Sequence, residues 1–113
     1  MRNKFTLAGE KILNGAKKIR DSGLIDALDV FYLKPAIILF GSVSKGMDIK
    51  ESDIDLVVVS ESRKDFLGKE SFGKALGKEL HIFSVKSLKD LKNDHLIESV
   101  LNGIVLQGEI RWI

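Results

Sequence analysis

Gly41-Ser42-Val43-Ser44-Lys45-Gly46-Met47-Asp48-Ile49-Lys50-Glu51-Ser52-Asp53-Ile54-Asp55-Leu56 is the stretch on which the reading of this chain turns. Immediately before it stands Ala36-Ile37-Ile38-Leu39-Phe40, a short apolar run confined between Pro35 and Gly41. Such a run, rich in branched side chains and bounded by turn-forming residues, predicts a strand buried on both faces. A second strand is predicted over 53–60. Its lower half, Leu56-Val57-Val58-Val59, is apolar at every position, and only its start is polar. Two buried strands joined by a polar, glycine-containing connection therefore frame the chemistry.

Asp53 and Asp55 are two apart on the second strand, so both side chains leave the same face. Their Cα atoms are then about 6.5–7 Å apart, and the carboxylates can converge on one or two small cations. Carboxylates that close repel each other unless positive charge lies between them. Oxygen donors of this kind suit magnesium or manganese. Gly41 and Ser42 sit at the exit of the first strand. Glycine there admits a phosphate close to the backbone, and serine adds a hydroxyl and an N–H. Lys45 lies between the two seats in sequence, and Gly46 can turn the chain back toward the aspartates. Each part alone has an ordinary reading: a Gly-Ser turn, a solvated Asp-x-Asp edge, a flexible surface lysine. The joint pattern is much rarer than its parts, and it suits a magnesium–triphosphate complex.

Outward from this centre, the 113-residue chain is 44% apolar and 30% charged, which supports one compact domain over residues 1–113. Residues 1–34 predict a helical region. Ile12, Leu13, Ala16 and Ile19 recur at helical spacing, Asp21-Ser22-Gly23 breaks the pattern, and Leu24, Ala27, Leu28 and Phe31 resume it. Pro35 disfavours helix at Lys34. Residues 36–106 predict the sheet core. After a charged loop or short helix over 61–70, Ser71 is placed to cap a helix through Lys78, and 80–85 reads as a third strand. Ser87 and Asp90 resemble a capping box for a helix through Lys92. A further helix is expected over 94–101, with Gly103 as a left-handed stop, and 104–106 as a fourth short strand. Helices alternating with short buried strands predict an α/β (α+β) layered fold, a small mixed sheet with helices packed on it.

Several function classes drop out. The absence of cysteine removes disulfide scaffolds, Cys-ligated zinc and thiol catalysis. No apolar run approaches the roughly 20 residues of a membrane span, and the N-terminus opens no apolar signal segment, so the cytoplasm is the expected location. A net charge of +2 neither demands nor excludes nucleic acid, and few aromatics give such a partner little support. Lysines 64, 69, 74 and 78 suggest a basic side near the site or simply a solvated face. His95 reads as a surface or capping residue. The apolar tail Ile110-Arg111-Trp112-Ile113 is expected to pack on this domain's own core or on a partner, which leaves a homo-oligomer open.

The stretch resembles the minimal nucleotidyltransferase branch of the DNA polymerase β-like superfamily. The signature of that family is Gly-Ser, ten residues, Asp-x-Asp, and residues 43–52 supply the ten. Gly46, Ser52-Asp53-Ile54-Asp55-Leu56 and the run of valines fit its fuller form. The resemblance implies transfer of a nucleoside monophosphate from a nucleoside triphosphate, ATP being the expected one, to a hydroxyl acceptor. Gly41, Ser42 and Lys45 would bind the nucleotide, while Asp53 and Asp55 hold two Mg2+ or Mn2+ ions as catalytic ligands. Relatives of this size often act beside a small helical HEPN-type protein as toxin–antitoxin pairs, so such a partner is implied as well. The family usually supplies a third carboxylate from a later strand. Here His81 takes that place, with Glu79 two residues earlier on the same face. Three readings follow: His81 is a ligand or base, Glu79 completes the acidic set, or neither contributes. On the last, the chain is a non-catalytic nucleotide- or partner-binding module with a degenerate metal site.

Overall fold

Pro35 marks the join between helix and sheet. The computed structural model describes residues 15–41, 53–62 and 64–109. Residues 15–21 are helical (α1), and α2 spans Leu24–Tyr32. Between them Gly23 takes the left-handed conformation, φ 86°, so the break expected at Asp21-Ser22-Gly23 is present. α2 ends at Tyr32, short of the Lys34 boundary that Pro35 implies. Leu33 and Lys34 both turn left-handed, at φ 58° and 59°, and the chain swings directly into β1, Ala36–Phe40. The strands β2 (Ile54–Val59), β3 (Leu80–Val85) and β4 (Ile104–Gln107) complete a four-stranded sheet in the order β3-β2-β1-β4. β1 runs antiparallel to β2 and β4, whereas β2 and β3 are parallel. The sheet is therefore mixed, as expected.

Strand alternation divides the core in two. Ile37 and Leu39 of β1, with Ile54, Leu56 and Val58 of β2, meet Ile19, Leu24, Ile25, Leu28 and Tyr32 of the N-terminal helices. Ile38 and Phe40, with Val57 and Val85, meet Leu88 and Val100 on the other face. Burial of β1 on both sides explains why its sequence carries no polar residue.

α3 runs from Lys69 to Leu76, and Gly77 closes it with φ 72°. It starts three residues earlier than a Ser71 cap would place it and stops two residues before Lys78, because Gly68 rather than Ser71 holds the cap position. The Ser87 capping box forms, with Asp90 reciprocating. It opens a 3-10 turn over Leu88–Leu91 rather than an α-helix, and Lys92 ends it in the left-handed region. α4 covers Asp94–Leu101, capped by the Asn93 side chain. Among the described residues, no helix is long and apolar enough to cross a membrane. Residues 1–14 and the tail 110–113 lie outside the described residues, as do the readings made on them.

Gly103 corrects one expectation. Among the described residues the positive-φ glycines are Gly23, Gly41, Gly77 and Gly108, so Gly103 is not the left-handed stop of α4. Its glycine has another cause: a Cβ there would overlap the Leu39 carbonyl oxygen and sit 3.0 Å from Ile38 Cγ2. Close approach of the α4–β4 turn to β1 is what excludes a side chain. Gly103→Ala should accordingly lower the urea midpoint, with a loss of about 1–3 kcal/mol as for other overpacked interiors. An unchanged midpoint would show that the turn does not approach β1 so closely.

Candidate functional site

The parallel register of β2 and β3 builds the site. Asp55 stands opposite His81, and Ile54 opposite Leu80. The Ile54 N–H donates to the Glu79 carbonyl at 3.1 Å, which carries the pairing to the strand starts. Asp53 thus comes beside Glu79, and Asp55 beside His81. Asp53, Glu79 and His81 each offer a ligand atom, all within 4.8 Å of one another. Three carboxylates and an imidazole occupy one corner of the sheet. The corner lies on the face that carries Val57 and Val85, on which Leu88 of the 3-10 turn and Val100 of α4 pack together with Ile38 and Phe40 of β1. Asp53 and Glu79 are exposed, and Asp55 and His81 are half-buried.

A hydrogen-bonded chain crosses the corner. His81 Nδ1 lies 2.8 Å from Asp55 Oδ1, and His81 Nε2 lies 2.7 Å from Glu79 Oε1. The hydrogen bond to Glu79, then that to Asp55, holds the imidazole pKa above the ordinary histidine value of 6.5, against a smaller opposing effect of burial. The second oxygen of Asp55 faces β1. Phe40 is the register partner of Asp55, and Gly41, next along, takes φ 79°. A Cβ at Gly41 would overlap Asp55 Oδ2. Glycine at the exit of β1 is thus required by the carboxylate packed against it, as well as by its backbone angle.

Of the residues singled out in the sequence, Gly41, Asp53, Asp55, Glu79 and His81 come together at this corner. Ser42 and Lys45 lie outside the described residues. The lysines divide: Lys69, Lys74 and Lys78 line a cleft of about 640 Å³ between α3 and the start of β3, shared with Glu79 and His81. Lys64 belongs elsewhere, its carbonyl accepting from Tyr32 and Ser84. His95 is exposed on α4, as expected. Strand alternation also puts Phe83 on the face of His81, and its ring packs on Phe40 with centroids 5.8 Å apart. The sequence reading missed this aromatic pair, although a phenylalanine two residues from His81 on a strand is a signal for it.

The donor set fits a divalent cation, because carboxylate oxygens and a ring nitrogen converge at an accessible strand end. It also fits a proton shared between histidine and its flanking carboxylates, which gives a testable pH dependence. With the folded pKa raised, the cationic ring contributes stability that is fully present below pH 6.5 and lost as pH rises through the folded value. Thermal melts without cations should therefore show wild-type Tm falling relative to His81→Gln as pH rises above 6.5. A difference between the two proteins that does not vary with pH would contradict the geometry.

A family model described as the nucleotidyltransferase domain matches residues 22–106 of this chain. No curated protein matches it. The fold is similar to a chain of the MntA–HepT toxin–antitoxin crystal structure, with 21% identity, a TM-score of 0.56, and coverage of 81% of this chain and 73% of that one. It is similar also to a chain in a crystal structure of a toxin–antitoxin with AMP-PNP. There the identity is 25% and the TM-score 0.57, with coverage of 79% of this chain and 74% of that one.

Proposed function

The chain belongs to the nucleotidyltransferase domain family, and on that footing we propose that it transfers a nucleoside monophosphate from a nucleoside triphosphate, most simply ATP, to a hydroxyl acceptor. The observation that carries this reading is the packing of Asp55 Oδ2 against Gly41, which sets the acidic corner directly at the exit of β1. Asp53 and Asp55, with Glu79 and His81 beside them, are the residues that would hold divalent ions, Mg2+ or Mn2+. Such ions supply charge neutralisation at the α-phosphate and activation of the acceptor hydroxyl. By the family resemblance Gly41, Ser42 and Lys45 would bind the triphosphate. In the transfer the acceptor oxygen bonds to the α-phosphorus, the bridge to the β-phosphate breaks, pyrophosphate leaves and the hydroxyl proton is released. Asp55 Oδ1 meanwhile orients His81 across the corner.

The acceptor we propose is a hydroxyl on a small helical HEPN-type protein, the chain acting as the antitoxin of a toxin–antitoxin pair. The fold likeness to toxin–antitoxin chains, one of them in a structure with AMP-PNP, supports that assignment. One observation favours a second reading. Asp55 Oδ1 is engaged by a histidine where the family resemblance implies a carboxylate, as expected of a nucleotide- or partner-binding module without turnover. Incubation with each α-labelled triphosphate, with magnesium and with the proteins that co-purify with the chain, separates the two. Label on a partner protein with release of pyrophosphate is the expected result. Nucleotide binding without label on any acceptor, for all four bases, would overturn the transferase reading in favour of the binding module.

A further inference from the structure

His81 changes the chemistry of the corner in a way that its position alone does not convey. Asp53, Glu79 and His81 bring their ligand atoms within 4.8 Å of one another, so the donor set is two carboxylates and one imidazole. Behind the imidazole stands Asp55, whose Oδ1 meets Nδ1 at 2.8 Å. A carboxylate on one ring nitrogen fixes the ring and directs the other nitrogen outward, the arrangement found behind metal-bound histidines. The directed nitrogen, Nε2, is the one beside Glu79. Magnesium takes oxygen donors almost exclusively, whereas imidazole nitrogen favours first-row transition ions.

We propose that Asp53, Glu79 and His81 form a nitrogen-containing seat selective for a first-row transition ion such as Mn2+ over Mg2+, with His81 Nε2 as a direct ligand and Asp55 as its positioning residue. The inference rests on the reading of this corner as a cation site. It adds the identity of the donor atom and the class of ion that the donor selects.

Pulsed electron paramagnetic resonance of Mn2+ bound to the tag-free protein, with and without ATP, tests it. The chain contains two histidines, and the second, His95, lies exposed on α4. The spectrum should show nitrogen-14 modulation that changes on 15N-histidine labelling and persists in His95→Gln. In competition titrations, His81→Asp should reduce the preference for Mn2+ over Mg2+ by about tenfold or more. Bound Mn2+ without histidine nitrogen coupling would overturn this inference and leave the cation site standing. Absence of Mn2+ binding, with ATP present, would overturn both. Coupling lost in His95→Gln would assign the ligand to the wrong histidine and defeat the proposal.

Discussion

Asp53→Asn and Asp55→Asn should each abolish the stabilisation of the protein by ATP and magnesium. Ligand present at a hundred times its Kd stabilises a native state by about 2.7 kcal/mol. For a chain of this size that corresponds to a rise in Tm of roughly 10 °C. Asparagine keeps the shape of aspartate and removes the charge. At position 55 its side-chain oxygen can still accept from His81 Nδ1, so the ring keeps its orientation. Asp53 is exposed and outside both core clusters, so its replacement leaves the packing intact. Asp53→Asn also removes a negative charge from beside Glu79, and the ligand-free variant should melt no lower than wild type. Loss of the nucleotide effect together with an undiminished ligand-free Tm separates a binding defect from a folding defect. Label transfer should fall on the order of 10²–10³-fold. An ATP-dependent shift that survives both substitutions would place nucleotide binding elsewhere.

Gly41→Ala should couple stability and binding in one change. The residue takes φ 79°, and an alanine held there costs about 1–3 kcal/mol in backbone strain. Its Cβ would also displace Asp55 Oδ2, moving the carboxylate away from the strand exit. Both the urea midpoint and the ATP-dependent shift should therefore drop. A double-mutant cycle isolates the contact: in an Asp55→Ala background the obstructing oxygen is gone, and Gly41→Ala should cost less than it does in wild type. Strictly additive effects would mean that glycine and carboxylate do not meet.

Strand alternation makes much of this arrangement legible in the sequence. The apolar run 36–40 and the valines after Asp55 predicted strands buried on both faces, and the structure buries them so. Pairing Asp53 with Asp55 on one side required only the two-residue period. What sequence spacing could not supply was the partner strand's register. The pairing of Asp55 with His81 is long-range, and nothing local to either residue encodes it. Glu79 and His81 could be put on a common face by period, but the hydrogen bonds that set His81 between Glu79 and Asp55 depend on that register. Gly103 failed for a related reason. Local signals read it as a helix stop, whereas its true constraint is the Leu39 carbonyl, more than sixty residues away in the chain. Ser71 likewise looked like a cap by type, yet α3 had already begun at Lys69, since Phe72 N–H donates to the Gly68 carbonyl.

The central claim is that the acidic corner holds a cation that binds a triphosphate at the exit of β1. A crystal of the protein grown with Mn2+ and a non-hydrolysable ATP analogue, with anomalous data collected for manganese, tests it most directly. The account predicts an anomalous peak within about 2.5 Å of an Asp53 carboxylate oxygen, with the triphosphate seated at Gly41. Manganese and nucleotide bound together at another place, with Asp53 and Asp55 in contact with neither, would contradict it.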